Sequence, residues 1–174
     1  MKNKNKGFTL VELLAVIAIL AILVIIALPN VLSMYNEARK NAFTTEVKDH
    51  YKAAEQKFML NAGNQIIFSN ADNAPASAVK LDMSGNKKTK YYMIFNANGD
   101  CTRFVATNGT YGIDIADEKI LIEDIGVEDK NGTNGTKYAV KEADSAFTVT
   151  ISTTNGNTTA TLTGNVKGAE EAGN

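Results

Sequence analysis

The sequence is poor in the residues from which active centres and crosslinked scaffolds are built. It has one cysteine in 174 residues, Cys101, so no intramolecular disulfide can form. It has one histidine, His50, and with a single thiol the usual zinc ligand sets are excluded. There is no tryptophan, there are two prolines, and the formal net charge is -1, which gives no basic surface of the kind nucleic acids require. No nucleophile–base pair and no metal-binding spacing emerges, so neither an enzyme nor a cofactor is expected. The acidic residues Asp114, Asp117, Glu118, Glu123, Asp124, Glu128 and Asp129 follow no calcium-loop spacing and read as solvated surface. His50, between Lys48, Asp49 and Lys52, is expected on the surface as well.

What the chain does have is one long apolar run. From Leu10 to Leu28 every side chain is aliphatic except Glu12, and Lys2, Lys4 and Lys6 precede the run. As a helix, Phe8 to Leu28 spans about 31 Å, close to the hydrocarbon thickness of a bilayer. The lysines orient such a span with its N-terminus in the cytoplasm. A secretory signal peptide has a shorter apolar region and a small-residue cleavage site, and neither occurs here. Glu12 stands out, because a charge at the bilayer centre costs roughly 2.5–3.5 kcal/mol and so points to a function with a partner. A glutamate snorkelling to the membrane surface is the plain alternative.

The string Gly7-Phe8-Thr9-Leu10-Val11-Glu12 resembles the processing signature of type IV prepilins and the related pseudopilins. The likeness is strong over residues 1 to about 40. It implies that a prepilin peptidase cuts between Gly7 and Phe8 and methylates the new amine of Phe8, leaving 167 of the 174 residues. It also implies that Glu12 sets axial register by pairing with the Phe8 amine of a neighbouring subunit in a homopolymer. On that view residues 1–7 are a cleaved basic leader and 8–28 a transmembrane and assembly helix. Residues 29–63 are an amphipathic helix half, 64–164 a sheet domain with a connecting loop, and 165–174 a disordered tail. Pro29, at the end of the apolar run, marks a helix kink. The implied partners are the membrane before assembly, the peptidase and the pilus assembly machinery. The implied destination is an extracellular filament for adhesion, motility, aggregation or DNA uptake. The missing disulfide leans toward a bacterium with a single membrane. The alternatives are a pseudopilin of a secretion or competence system, and a signal-anchored binding module.

Beyond Pro29, the residues Leu32, Tyr35, Ala38, Ala42, Val47, Tyr51, Ala54 and Phe58 form one apolar stripe, and the helix is expected to stop near Asn61. Residues 64–90 read as a connection with a short helix around Ala76–Val79. Strands follow at Tyr91–Phe95, Cys101–Thr107, Tyr111–Ile115, Lys119–Ile125, Phe147–Ile151 and Thr158–Thr163. They are punctuated by turns at Asn98-Gly99-Asp100, Asn108-Gly109-Thr110 and Asn155-Gly156-Asn157. Asn108, Asn131, Asn134 and Asn157 each open a glycosylation sequon but read as turn residues, and Cys101 reads as a small strand residue. The expected fold is α+β, an antiparallel sheet laid on the second half of a long N-terminal helix.

Overall fold

The computed structural model describes residues 8–61, 64–83, 88–127, 136–154 and 157–167. One α-helix, α1 (Leu10–Met59), leads into a set of short strands, the α+β arrangement expected. The chain divides into two compact units, Met1–Arg39 and Lys40–Asn174.

In the first unit the helix continues through Pro29 without a break in its assignment. No side chain between Phe8 and Arg39 is buried. Leu32, Tyr35 and Ala38, expected on the packed stripe, are exposed.

In the second unit the stripe has a different phase. The buried helix residues are Phe43, Thr44, Val47, His50, Tyr51, Ala54 and Phe58, one face of a 3.6-residue repeat. Ala42 is exposed and Phe43 takes its place. His50, expected in solvent, is only 5% exposed. Its Nδ1 lies 2.7 Å from the carbonyl oxygen of Glu46, and its ring packs on Tyr91 with centroids 5.0 Å apart.

That face packs on a five-stranded antiparallel sheet. Its strands are β1 (Ile66–Ser69), β2 (Lys90–Phe95), β3 (Cys101–Thr107), β4 (Tyr111–Ala116) and β7 (Lys141–Glu142), in spatial order β1-β2-β3-β4-β7. Phe95 is the hub of the interface, with Tyr51, Phe58 and Phe68 rings each 5.7 Å away. The buried tyrosines place their hydroxyls: Tyr51 donates to the Ile120 carbonyl at 2.9 Å, and Tyr91 accepts from the Leu81 N–H at 2.8 Å. Gly99, in the β2–β3 turn, has φ +88°, and a Cβ there would stand 3.1 Å from the Phe58 ring.

The opposite face of the sheet is also covered. Strands β8 (Thr148–Thr154) and β9 (Asn157–Thr163) form a separate antiparallel pair. Val149, Ile151, Ala160 and Leu162 pack on Tyr92, Ile94 and Val105. The run Tyr91-Tyr92-Met93-Ile94-Phe95 is continuously apolar for this reason. Alternate residues serve two covers, as in any strand buried on both sides. Gly112 marks close approach, since a Cβ there would lie 2.7 Å from Leu162 Cδ2.

An ion pair fastens the two-stranded layer. Arg103 Nη1 and Asp114 Oδ1 are 2.5 Å apart, with side chains 15% and 25% exposed. The same guanidinium donates to the carbonyls of Ile115 and Ala160, and Asp114 Oδ2 accepts from the Leu162 N–H at 2.7 Å. Shielding a pair to this degree is costly unless both ends also make hydrogen bonds, as they do here.

Several expected elements differ. Lys119–Ile125 is not a strand: it is a bend, a 3-10 turn at Ile122–Asp124 and the first residue of β5 (Ile125–Gly126), which pairs in parallel with β6 (Tyr138–Ala139). β7 takes the edge of β4 at Tyr111 and Gly112, and the N–H groups of Asp117 and Ile120 are held by the Thr102 and Cys101 carbonyls of β3 at 3.2 and 2.8 Å. Ile66–Ser69 is an edge strand where a connection was expected, and Ala76–Val79 is a turn ending in a bridge from Val79 to Phe68, not a helix. The first residues of the expected disordered tail are tied down. Val166 bridges Ala143, and Lys167 Nζ lies 2.9 Å from Glu142 Oε1. Cys101 opens β3 and is fully buried, as a small strand residue should be. Asn108 acts as a turn residue, its Oδ1 accepting the N–H groups of Thr110 and Tyr111. The turn expected at Asn155-Gly156 and the sequons at Asn131 and Asn134 lie outside the described residues.

Candidate functional site: the N-terminal segment

The residues singled out for processing and assembly lie within a few positions of one another, and their local structure begins with a helix start. Thr9 accepts the first helical hydrogen bond, from the Leu13 N–H to its carbonyl at 3.2 Å. Its Oγ1 accepts from the Glu12 N–H at 3.2 Å, while Glu12 Oε2 accepts from both the Thr9 N–H and the Thr9 hydroxyl at 2.8 Å. This is a capping box: an N-cap threonine and a glutamate three residues on satisfy each other's orphan backbone donors. The signal was present in the sequence as Thr-x-x-Glu ahead of an apolar run. Attention to the charge of Glu12 passes over it, and Thr9 is the residue missed.

The cap gives Glu12 a role within its own chain. It also places the carboxylate at the first turn, where the helix dipole favours an anion. Phe8 is the residue immediately outside the cap and is 92% exposed. Gly7 lies outside the described residues.

Past the cap the helix has no polar side. Fifteen large hydrophobic side chains from Phe8 to Leu28 are more than half exposed. The segment's mean hydropathy reaches 3.2 over an 18-residue window, with none of that window buried. Taking a large apolar side chain out of water is worth roughly 1.5–3 kcal/mol. A few such residues offset the whole insertion cost of Glu12. Length and composition therefore suffice for a membrane span.

The residues 2–28 match the family model described as the prokaryotic N-terminal methylation motif. The N-terminus carries a prokaryotic methylation motif. Consistent with this, the chain is 30% identical over 99 residues to the type IV major pilin protein PilA of Myxococcus xanthus (strain DK1622). That alignment takes in 56% of this chain and 40% of the relative, so the chain spans about two-fifths of the length of the curated pilin it matches. No solved structure matches the chain. The matched segment contains Gly7, Phe8, Thr9 and Glu12; Pro29 lies just beyond it.

Proposed function

We propose that this chain is the structural subunit of a type IV pilus. A prepilin peptidase cleaves it between Gly7 and Phe8 and methylates Phe8. The subunit waits in the cytoplasmic membrane as a single-pass protein and then polymerises through residues 8–28 into a surface filament. The observation that carries this reading is the conjunction of the methylation motif with a helix apolar on every side and interrupted by one capped carboxylate. Such a helix needs an apolar environment supplied from outside its own chain: lipid first, the helices of other subunits later. Glu12 pairs with the Phe8 amine of a neighbour and fixes axial register, as a lone buried polar group does in other helix seams. Pro29, at the end of the apolar run, lets the helix bend or loosen there on assembly.

The capping box makes a two-variant test decisive. Glu12→Gln keeps the cap, because glutamine serves at that position, but removes the charge. Glu12→Val removes both. If the charge fixes register, both variants are still cleaved, as intact mass starting at methylated Phe8 will show, and both lose surface filaments by electron microscopy of sheared material. Wild-type filament numbers from Glu12→Gln would refute the pairing and leave only the cap. A mature chain starting beyond Ala27 would refute the pilin reading itself.

A further inference from the structure

The two edges of the two-stranded layer differ. In β9 three of the outward-facing main-chain groups are captured by the sheet beneath. The Thr158 carbonyl accepts from the Tyr92 hydroxyl at 3.1 Å, the Ala160 carbonyl from Arg103, and the Leu162 N–H donates to Asp114. These contacts fix which residues point outward. Ala160 and Leu162 stand opposite Ile151 and Val149, so Val149, Ile151 and Thr153 present their own N–H and C=O groups on the far edge of β8. Among the described residues nothing occupies those groups. Among the described residues the edge is unoccupied from Thr148 on, while the preceding N–H, that of Phe147, is held by the Gly109 carbonyl at 2.8 Å. Beside its start runs an open groove of about 240 Å³, lined by Lys88, Lys90, Asn108, Phe147, Thr148 and Val149 among others.

The strand's own sequence lacks the residues that normally keep strand edges apart. Thr148-Val149-Thr150-Ile151-Ser152-Thr153-Thr154 has no charge, proline or glycine, and its residues favour strands. It is also self-complementary. In an antiparallel pair centred on Ile151, Val149 faces Thr153 and Ile151 faces itself, and all of these are outward-pointing residues able to exchange hydrogen bonds. On the exposed face Thr148 then meets Thr154 and Thr150 meets Ser152, so hydroxyl faces hydroxyl and no like charges oppose.

The geometry points to β8 as a self-association edge: two copies of this chain join β8 to β8, antiparallel about Ile151, into one four-stranded layer. The partner is a second copy rather than an unrelated strand because the register closes on itself with every outward group used. The contact lies wholly within the Lys40–Asn174 unit and does not depend on how residues 8–28 assemble.

Directed disulfides in the full-length chain, purified in detergent, test both register and symmetry. Thr150 and Ser152 are exposed, so Thr150→Cys and Ser152→Cys leave the core alone, and the native Cys101 thiol is buried. Across the two-fold these positions face each other as a non-hydrogen-bonded pair, with Cα atoms about 4.5 Å apart, inside the disulfide range. Each is roughly 8 Å from its own copy, outside that range. Under mild oxidation a mixture of the two variants is expected to form disulfide dimers about tenfold faster than either variant alone. Adding Lys at the free member of each pair, Ser152→Lys with Thr150→Cys and Thr150→Lys with Ser152→Cys, should abolish that advantage by placing like charges opposite each other. Equal dimerisation of single and mixed samples, no dimer in any sample, or indifference to the lysines would each overturn the proposal. Association driven only by the N-terminal helices gives the first of these results.

Discussion

The helix α1 lives in two different environments, and its sequence says so in two different ways. Between Phe8 and Leu28 the apolar residues lie all round the helix and none is buried by the rest of the chain. Between Phe43 and Phe58 they are confined to one face, and that face is buried to a few per cent. Apolar residues with a preferred side identify a partner inside the same domain. Apolar residues without one identify surroundings that the chain does not itself provide. The same composition rule thus reports packing within the chain in one half and apolar surroundings from outside it in the other.

The contrast can be broken most sharply by removing volume from each half. Phe104→Ala empties a site on the sheet face beneath α1 that is fully buried, and should cost about 3–5 kcal/mol in denaturant unfolding of the sheet domain. Leu20→Ala, in a residue 53% exposed, should leave that unfolding curve where it was and alter only membrane insertion or assembly. Equal losses from both would mean that the apolar run is packed by its own chain after all.

A smaller effect sharpens the account of the second cover. Asp114→Ala strands the half-buried Arg103 charge and orphans the Leu162 N–H. For a fully buried pair the cost would be roughly 3–5 kcal/mol. With partly exposed partners we expect about 2 kcal/mol, together with faster hydrogen exchange across β8 and β9 than in β2 and β3. Uniform acceleration across all four strands would show that the two layers unfold as one.

The smallest effect concerns Cys101 and is visible mainly at high pH. Burial pushes its thiol up to about 12. A raised acid keeps its contribution to stability below the ordinary thiol range, near pH 8.5, and loses it as pH climbs toward 12. Burial raises the Tyr51 and Tyr91 hydroxyls too, so alkaline destabilisation is shared. The difference between wild type and Cys101→Ala isolates the thiol: the two melting curves should converge in Tm as pH rises above about 9. At pH 8 the folded chain should resist thiol reagents that label the denatured chain at once. Rapid labelling of the folded chain would mean that β3 opens far more often than its burial implies.

Which features could be read from sequence follows from the same contrast. The apolar run, the processing motif and the α+β order were legible because each is local or strongly periodic. The phase of the buried helix stripe was not. Counting forward from Leu32 and Tyr35 carries a register out of a region with no sidedness, and it lands on Ala42 instead of Phe43. Starting from Phe58 and stepping back through Ala54, Tyr51 and Val47 reaches Phe43 and takes in His50, whose charged neighbours Lys48, Asp49 and Lys52 sit on other faces. Lys119–Ile125 alternates well enough for a strand, but a strand needs a free neighbour, and β7 from 25 residues beyond β4 occupies that edge at Tyr111 and Gly112. The continuous run in β2 did contain the news of a second cover. Reading it required asking why a strand beside a single helix would be apolar on both sides.

That double cover has a consequence for how the protein is made. One lid of the sheet, Phe43–Phe58, is synthesised before it, and the other, Thr148–Thr163, is synthesised almost last. Arg103 must wait for the carbonyl of Ala160, 57 positions later, before its charge is fully satisfied. Until then Tyr92 and Val105, fully shielded in the finished domain, face water. Contacts of such long sequence separation are slow to form. A chain still being synthesised thus carries a sticky, half-lidded sheet until β9 has been made. Synthesis halted before Thr148 would yield a product that sequesters or aggregates, even though every strand of the main sheet is already present.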